Sequence, residues 1–123
     1  IHGLQPGFDK DINFIPLRGN YTRGIHSCMY TNTPYPIDLI RKMYEEYYNT
    51  EPFIVLSDEL PSLKQVVNTN KCIIYLEKHK DKFLIISIID NLIKGASGQA
   101  VQNMNLMFGL EPTLGLILKS TAF

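Results

Sequence analysis

The run Phe83-Leu84-Ile85-Ile86-Ser87-Ile88-Ile89 narrows the choice of fold more than any other part of the chain. Side chains of a strand point alternately to its two faces, and this run is apolar at both sets of positions. A strand built from it must be covered on both sides. The domain's own helices supply one cover, and a partner chain is a natural source of the other. Just upstream, Cys72-Ile73-Ile74-Tyr75-Leu76-Glu77 has the same β-branched character, and the five polar residues from Lys78 to Lys82 between the two runs predict a hairpin.

The rest of the chain supplies shorter elements. Ile12 and Phe14 share one side of an extended segment ended by Pro16, and Ile25 to Thr31 alternates well enough for a second strand. Pro36 precedes Ile37, Ile40, Tyr44 and Tyr47 at helical spacing, which predicts an amphipathic helix over 37–48. Pro52 to Leu56 and Leu63 to Val67 read as further strands, and Ser97 to Phe108 as a second helix stopped by Gly109. The expected architecture is α+β, a mixed sheet of about six strands with helices packed on one face.

A chain of 123 residues is one domain long, and 45% apolar with 20% charged residues is a folding composition rather than a disordered one. Twelve basic residues against twelve acidic ones leave no broad positive field, so nucleic acid is not an expected partner. Cys28 and Cys72 cannot form a disulfide framework, no Cys/His spacing suits a metal, and both cysteines read as buried core within strands. No apolar stretch reaches bilayer length and no leader opens the chain, so the expectation is a cytoplasmic protein without membrane contact. Ile1 follows no Met, which suggests a segment entered partway through.

Chemistry concentrates in Asp90-Asn91-Leu92-Ile93-Lys94-Gly95-Ala96-Ser97-Gly98-Gln99-Ala100, where the apolar strand ends, turns through small residues and becomes a helix. Such a junction can present unpaired N–H groups and a positive dipole end. The Asn91 amide can both donate and accept, which suits recognition of another carboxamide, and Lys94 could add charge. The alternative makes Gly95 and Gly98 a tight connection with Ser97 a plain helix cap.

Residues 91–110, NLIKGASGQAVQNMNLMFGL, resemble the C-terminal signature of N-acetyl-γ-glutamyl-phosphate reductases. Phe14-Ile15-Pro16 with Thr22-Arg23-Gly24-Ile25 resembles the same family's Phe-x-Pro to Arg-Gly segment, and Val66-Val67-Asn68-Thr69-Asn70 falls where its Thr-Asn motif lies. Aspartate-semialdehyde dehydrogenases resemble 91–110 less well. The resemblance implies a glyceraldehyde-phosphate-dehydrogenase-like C-terminal domain over 1–123, serving catalysis and dimerisation, with the dinucleotide-binding domain outside this chain. It implies an enzyme of arginine biosynthesis that reduces N-acetyl-γ-glutamyl phosphate to the semialdehyde with NADPH, through a thioester on a cysteine. That cysteine and the acid/base histidine would precede this region, so no catalytic residue is assigned here, and His2 lacks the flanking pattern to serve. By the same resemblance Asn91 and Gly95 contact the NADP cofactor and Arg23 grips the acyl-phosphate substrate, a surface or structural ion pair being the alternative for Arg23, while Leu17 and Asn20-Tyr21 depart from the usual His and Pro-Met. A homodimer or tetramer through the sheet face is implied, as is inactivity of the fragment alone. The rival reading is a stand-alone homo-oligomeric interaction module without catalysis.

Overall fold

The computed structural model describes Gln5 and residues 7–120. Its elements run β1 (Ile25–Asn32), α1 (Ile37–Tyr48), β2 (Ile54–Ser57), β3 (Cys72–His79), β4 (Lys82–Ile89) and α2 (Gly98–Met107), with a 3-10 turn at Leu63–Gln65 and a π-helical turn at Ile93–Ser97. The sheet order is β1-β4-β3-β2. β4 pairs antiparallel with β1 and with β3, so the doubly apolar run lies inside the sheet, while β2 joins the far edge parallel to β3. The β3–β4 connection is tighter than the five polar residues suggest. His79 pairs with Lys82, and Lys80 adopts φ 55 to close a two-residue turn.

Register divides the core in two. On one face Ile74, Leu76 and Phe83 pack with Ile40 of α1, joined by Tyr44 and Tyr48. Tyr44 meets Phe83 edge-on at 6.4 Å between ring centroids. Tyr47 is instead 77% exposed, so the expected tyrosine face of the helix is carried by its neighbours. On the opposite face Ile73, Ile86 and Ile88 pack with Val66 and Leu63. Strand alternation puts Cys28, Tyr30 and Leu84 on that same face, where Cys28 and Tyr30 are exposed.

Four strands form among the described residues, not six. Residues 12–16 stay irregular, with Phe14 84% and Ile15 76% exposed, because no strand neighbours them and alternation without a pairing edge does not make a ladder. Residues 63–67 close into a turn instead. The Ser62 N–H donates to Gln65 Oε1 at 2.8 Å and the Gln65 N–H donates to the Ser62 carbonyl at 2.9 Å, the start signal of a helix rather than a strand. Of the two helices, α1 covers a face of the sheet, whereas α2 continues from the end of β4 and is tied down by loops. Cys28 is exposed rather than core, being on edge strand β1; Cys72 is half-buried, with Sγ 3.4 Å from Ser87 Oγ.

Candidate functional site

Asp90 directly follows β4, and its side chain is fully buried. A carboxylate there would be costly without partners, and it has four. Oδ1 accepts from the Leu92 N–H at 2.7 Å and the Ile93 N–H at 2.9 Å. Oδ2 accepts from the Asn68 N–H at 2.7 Å and from Arg23 Nη1 at 3.4 Å. Burial alone pushes the Asp90 pKa up, but the backbone hydrogen bonds from Asn68, Ile93 and Leu92, with the Arg23 charge, outweigh it and hold the group below its ordinary value.

This arrangement overturns the expectation of an open helix terminus. The donors that begin the helical segment are taken by Asp90, whose backbone carbonyl also accepts the Gly95 N–H at 2.9 Å. Ser97 does not cap either. Its Oγ donates to the Leu92 carbonyl at 2.9 Å, because the π-helical turn runs straight into α2 and leaves no end to cap.

Asn91 follows, half-buried. Its Oδ1 accepts the Gly24 N–H at 2.7 Å, and among the described residues its Nδ2 has no partner. Gly24 is required at that point. It adopts φ +115, and a Cβ there would stand 2.8 Å from Leu63 Cδ2. The two residues meet at a recess of about 470 Å³ lined by Leu17, Arg18, Tyr21, Ile25 and His26. Arg23 is directed away from it, with Nη1 bonded to Asn68 Oδ1 as well as Asp90, and its side chain remains 35% exposed. Lys94 also leaves the recess, donating to Gln102 Oε1 at 3.0 Å with its ammonium 5.3 Å from the Phe53 ring centroid.

Residues 2–91 match the family described as the semialdehyde dehydrogenase dimerisation domain. The chain belongs to that family. It is similar to N-acetyl-γ-glutamyl-phosphate reductase of Parabacteroides distasonis, 58% identical over 120 residues, and to the reductase of Bacteroides thetaiotaomicron, 59% identical over 120 residues. Each match covers 98% of this chain and 37% of the relative, so the chain spans little over a third of their length. Among solved structures, aspartate semialdehyde dehydrogenase II from Vibrio cholerae shares the fold at a TM-score of 0.54 and 20% identity, over 71% of this chain and 27% of that one. The reductase resemblance carried by residues 91–110 is thereby borne out, and the α+β class with it.

Within this dimerisation domain, the structure brings Asn91 and Gly24 together at the recess and sets Gly95 one turn further on, where a Cβ would meet nothing nearer than 3.5 Å. Gly98 is the tighter glycine, since a Cβ there would fall 1.7 Å from Asn70 Oδ1. Asp90, Asn68 and Arg18 fall inside the segments singled out in the sequence, but none carries a role of its own there. An acid closing a doubly apolar strand, two and three residues before helical N–H groups, was the available signal for Asp90. Among the described residues no cluster is placed to hold a metal ion, and no helix is long and apolar enough to cross a membrane. His2 lies outside the described residues.

Proposed function

We propose that this chain is the C-terminal, dimerisation part of a cytoplasmic reductase that converts N-acetyl-γ-glutamyl phosphate to the semialdehyde with NADPH in arginine biosynthesis. The observation that carries the reading is 58–59% identity to curated reductases along nearly the whole chain. The recess fits a nicotinamide on its own chemistry. Asn91 Oδ1 is occupied by Gly24 N–H, which leaves the amide nitrogen as a directed donor suited to a carboxamide oxygen. When bound, the cofactor would supply hydride.

The residues of this chain would orient rather than react. Asn91 would hold the carboxamide and Gly95 would border it. Arg23, held outside the recess through Nη1, keeps Nε and Nη2, and these would donate to the part of the acyl-phosphate substrate that extends beyond the recess. The nucleophilic cysteine and the acid/base histidine would come from outside residues 1–123. The sheet face bearing Tyr30 and Leu84 would pair subunits.

The test is NADPH oxidation with N-acetyl-γ-glutamyl phosphate. The full polypeptide encoded by the reading frame should turn over, and the 123-residue chain alone should not. An inactive full polypeptide would sink the reading in favour of an interaction module; turnover by the chain alone would overturn the division of roles.

A further inference from the structure

We propose that Asp90 is a positioning residue for the Asn91 amide, its buried carboxylate fixing both ends of the bond that aims that amide into the recess. The proposal rests on the cofactor reading above and deepens it.

Asn91 is anchored at the recess by one hydrogen bond, from Gly24 N–H to Oδ1 at 2.7 Å. One bond fixes a direction only if donor and acceptor backbones are themselves fixed. The acceptor end is held through Asp90 Oδ1, which takes the N–H groups of Leu92 and Ile93 at 2.7 and 2.9 Å and so pins the chain on the far side of Asn91. The donor end is held through Oδ2, which takes Arg23 Nη1 at 3.4 Å, and Arg23 is the residue before Gly24. Asn68 completes the clamp. Its N–H donates to the same Oδ2 at 2.7 Å while its side-chain oxygen accepts from the same Arg23 nitrogen. Three segments far apart in sequence thus converge on one carboxylate with no exposed surface.

Charge gives a second reason. The carboxylate already occupies the donors at the start of the helical segment and faces the guanidinium of Arg23. What remains of the helical start beside Asn91 is a neutral amide donor rather than a dipole end, which suits a carboxamide oxygen, while the cationic Arg18 lines the same recess.

The experiment uses the full polypeptide with Asn91→Ala, Asp90→Asn and the double variant. Asn91→Ala should raise KM for NADPH about tenfold, the worth of one hydrogen bond, with kcat less affected. Asp90→Asn should raise the same KM about fivefold, and the double variant should be no worse than Asn91→Ala, since Asp90 acts through Asn91. Multiplicative effects would overturn the proposal. Should Asp90→Asn fail to fold, Asp90→Ser retains a capping oxygen for Leu92 and Ile93 while losing the arm to Asn68 and Arg23, and the same non-additivity is expected. Hydrogen exchange at Gly24, followed by mass spectrometry on overlapping peptides, judges positioning without reference to the cofactor. It should quicken in the Asp90 variant about tenfold or more beyond any change seen in β3 and β4, which report the global loss of stability, and a change at Gly24 no larger than theirs would overturn the proposal. An Asn91→Ala variant with normal KM would instead strike the cofactor reading, leaving the exchange result to decide on Asp90.

Discussion

Gly95 and Gly98 differ by three positions and by opposite steric situations. A Cβ at Gly98 would meet Asn70 Oδ1 at 1.7 Å and the Ile93 carbonyl at 2.8 Å, and Asn70 cannot retreat because its Nδ2 is bonded to the Leu116 carbonyl at 2.9 Å. Gly98→Ala should therefore lower stability by about 1–3 kcal/mol despite the better helix propensity of alanine, whereas Gly95→Ala should change the urea midpoint little. Asp90 sets a pH dependence. Its folded-state pKa lies below the unfolded one, so its stabilisation is complete above the ordinary carboxylate range and fades as pH falls through the lowered value. Asp90→Asn should be about 2 kcal/mol or more less stable at neutral pH, and between about pH 6 and pH 3 the wild type should lose more of its urea midpoint than the variant does. Asn91 and Arg23 were legible as candidates because a resemblance pointed to them. Their partners were not, because Arg23 meets Asp90 across 67 residues of sequence and Asn68 meets it across 22, and local pattern carries no record of such pairings.

The hairpin was legible at the scale of elements because alternation and composition agree, and helix 37–48 because period and Pro36 agree. Residues 63–67 misled because two adjacent valines suit a strand, while the Ser-x-x-Gln pattern before them is what closes the turn. That turn still delivers Val66 to the sheet, fully buried against Ile88, which is itself fully buried. Ile88→Ala should accordingly cost about 2–5 kcal/mol, measured by urea denaturation. The turn at Lys80 should respond the other way. Its φ of 55 is uncomfortable for a side-chain-bearing residue, and Lys80→Gly should raise stability by about 0.5 kcal/mol after glycine's own entropic cost, seen as a small rise in Tm.

The whole molecule shows two apolar surfaces that the doubly apolar β4 foretold only in part. One is the sheet face opposite α1, where Tyr30 is 77% exposed beside Leu84 and Cys28; the other is α2, with Met104 at 46% and Met107 at 82%. Under the proposed function, a dinucleotide-binding lobe of the full polypeptide would cover the second, and a partner subunit the first. In the full polypeptide, Tyr30→Glu should therefore shift the mass seen by light scattering toward the monomer, while Tyr47→Glu on the outer side of α1 should not. The corner at Asn91 is where the cofactor would meet this chain, and a crystal structure of the full polypeptide with NADPH tests that directly. The carboxamide oxygen should lie within hydrogen-bond distance of Asn91 Nδ2, with Gly24 still bonded to Oδ1. A nicotinamide bound elsewhere, with the Asn91 amide sealed against the other lobe, would contradict it.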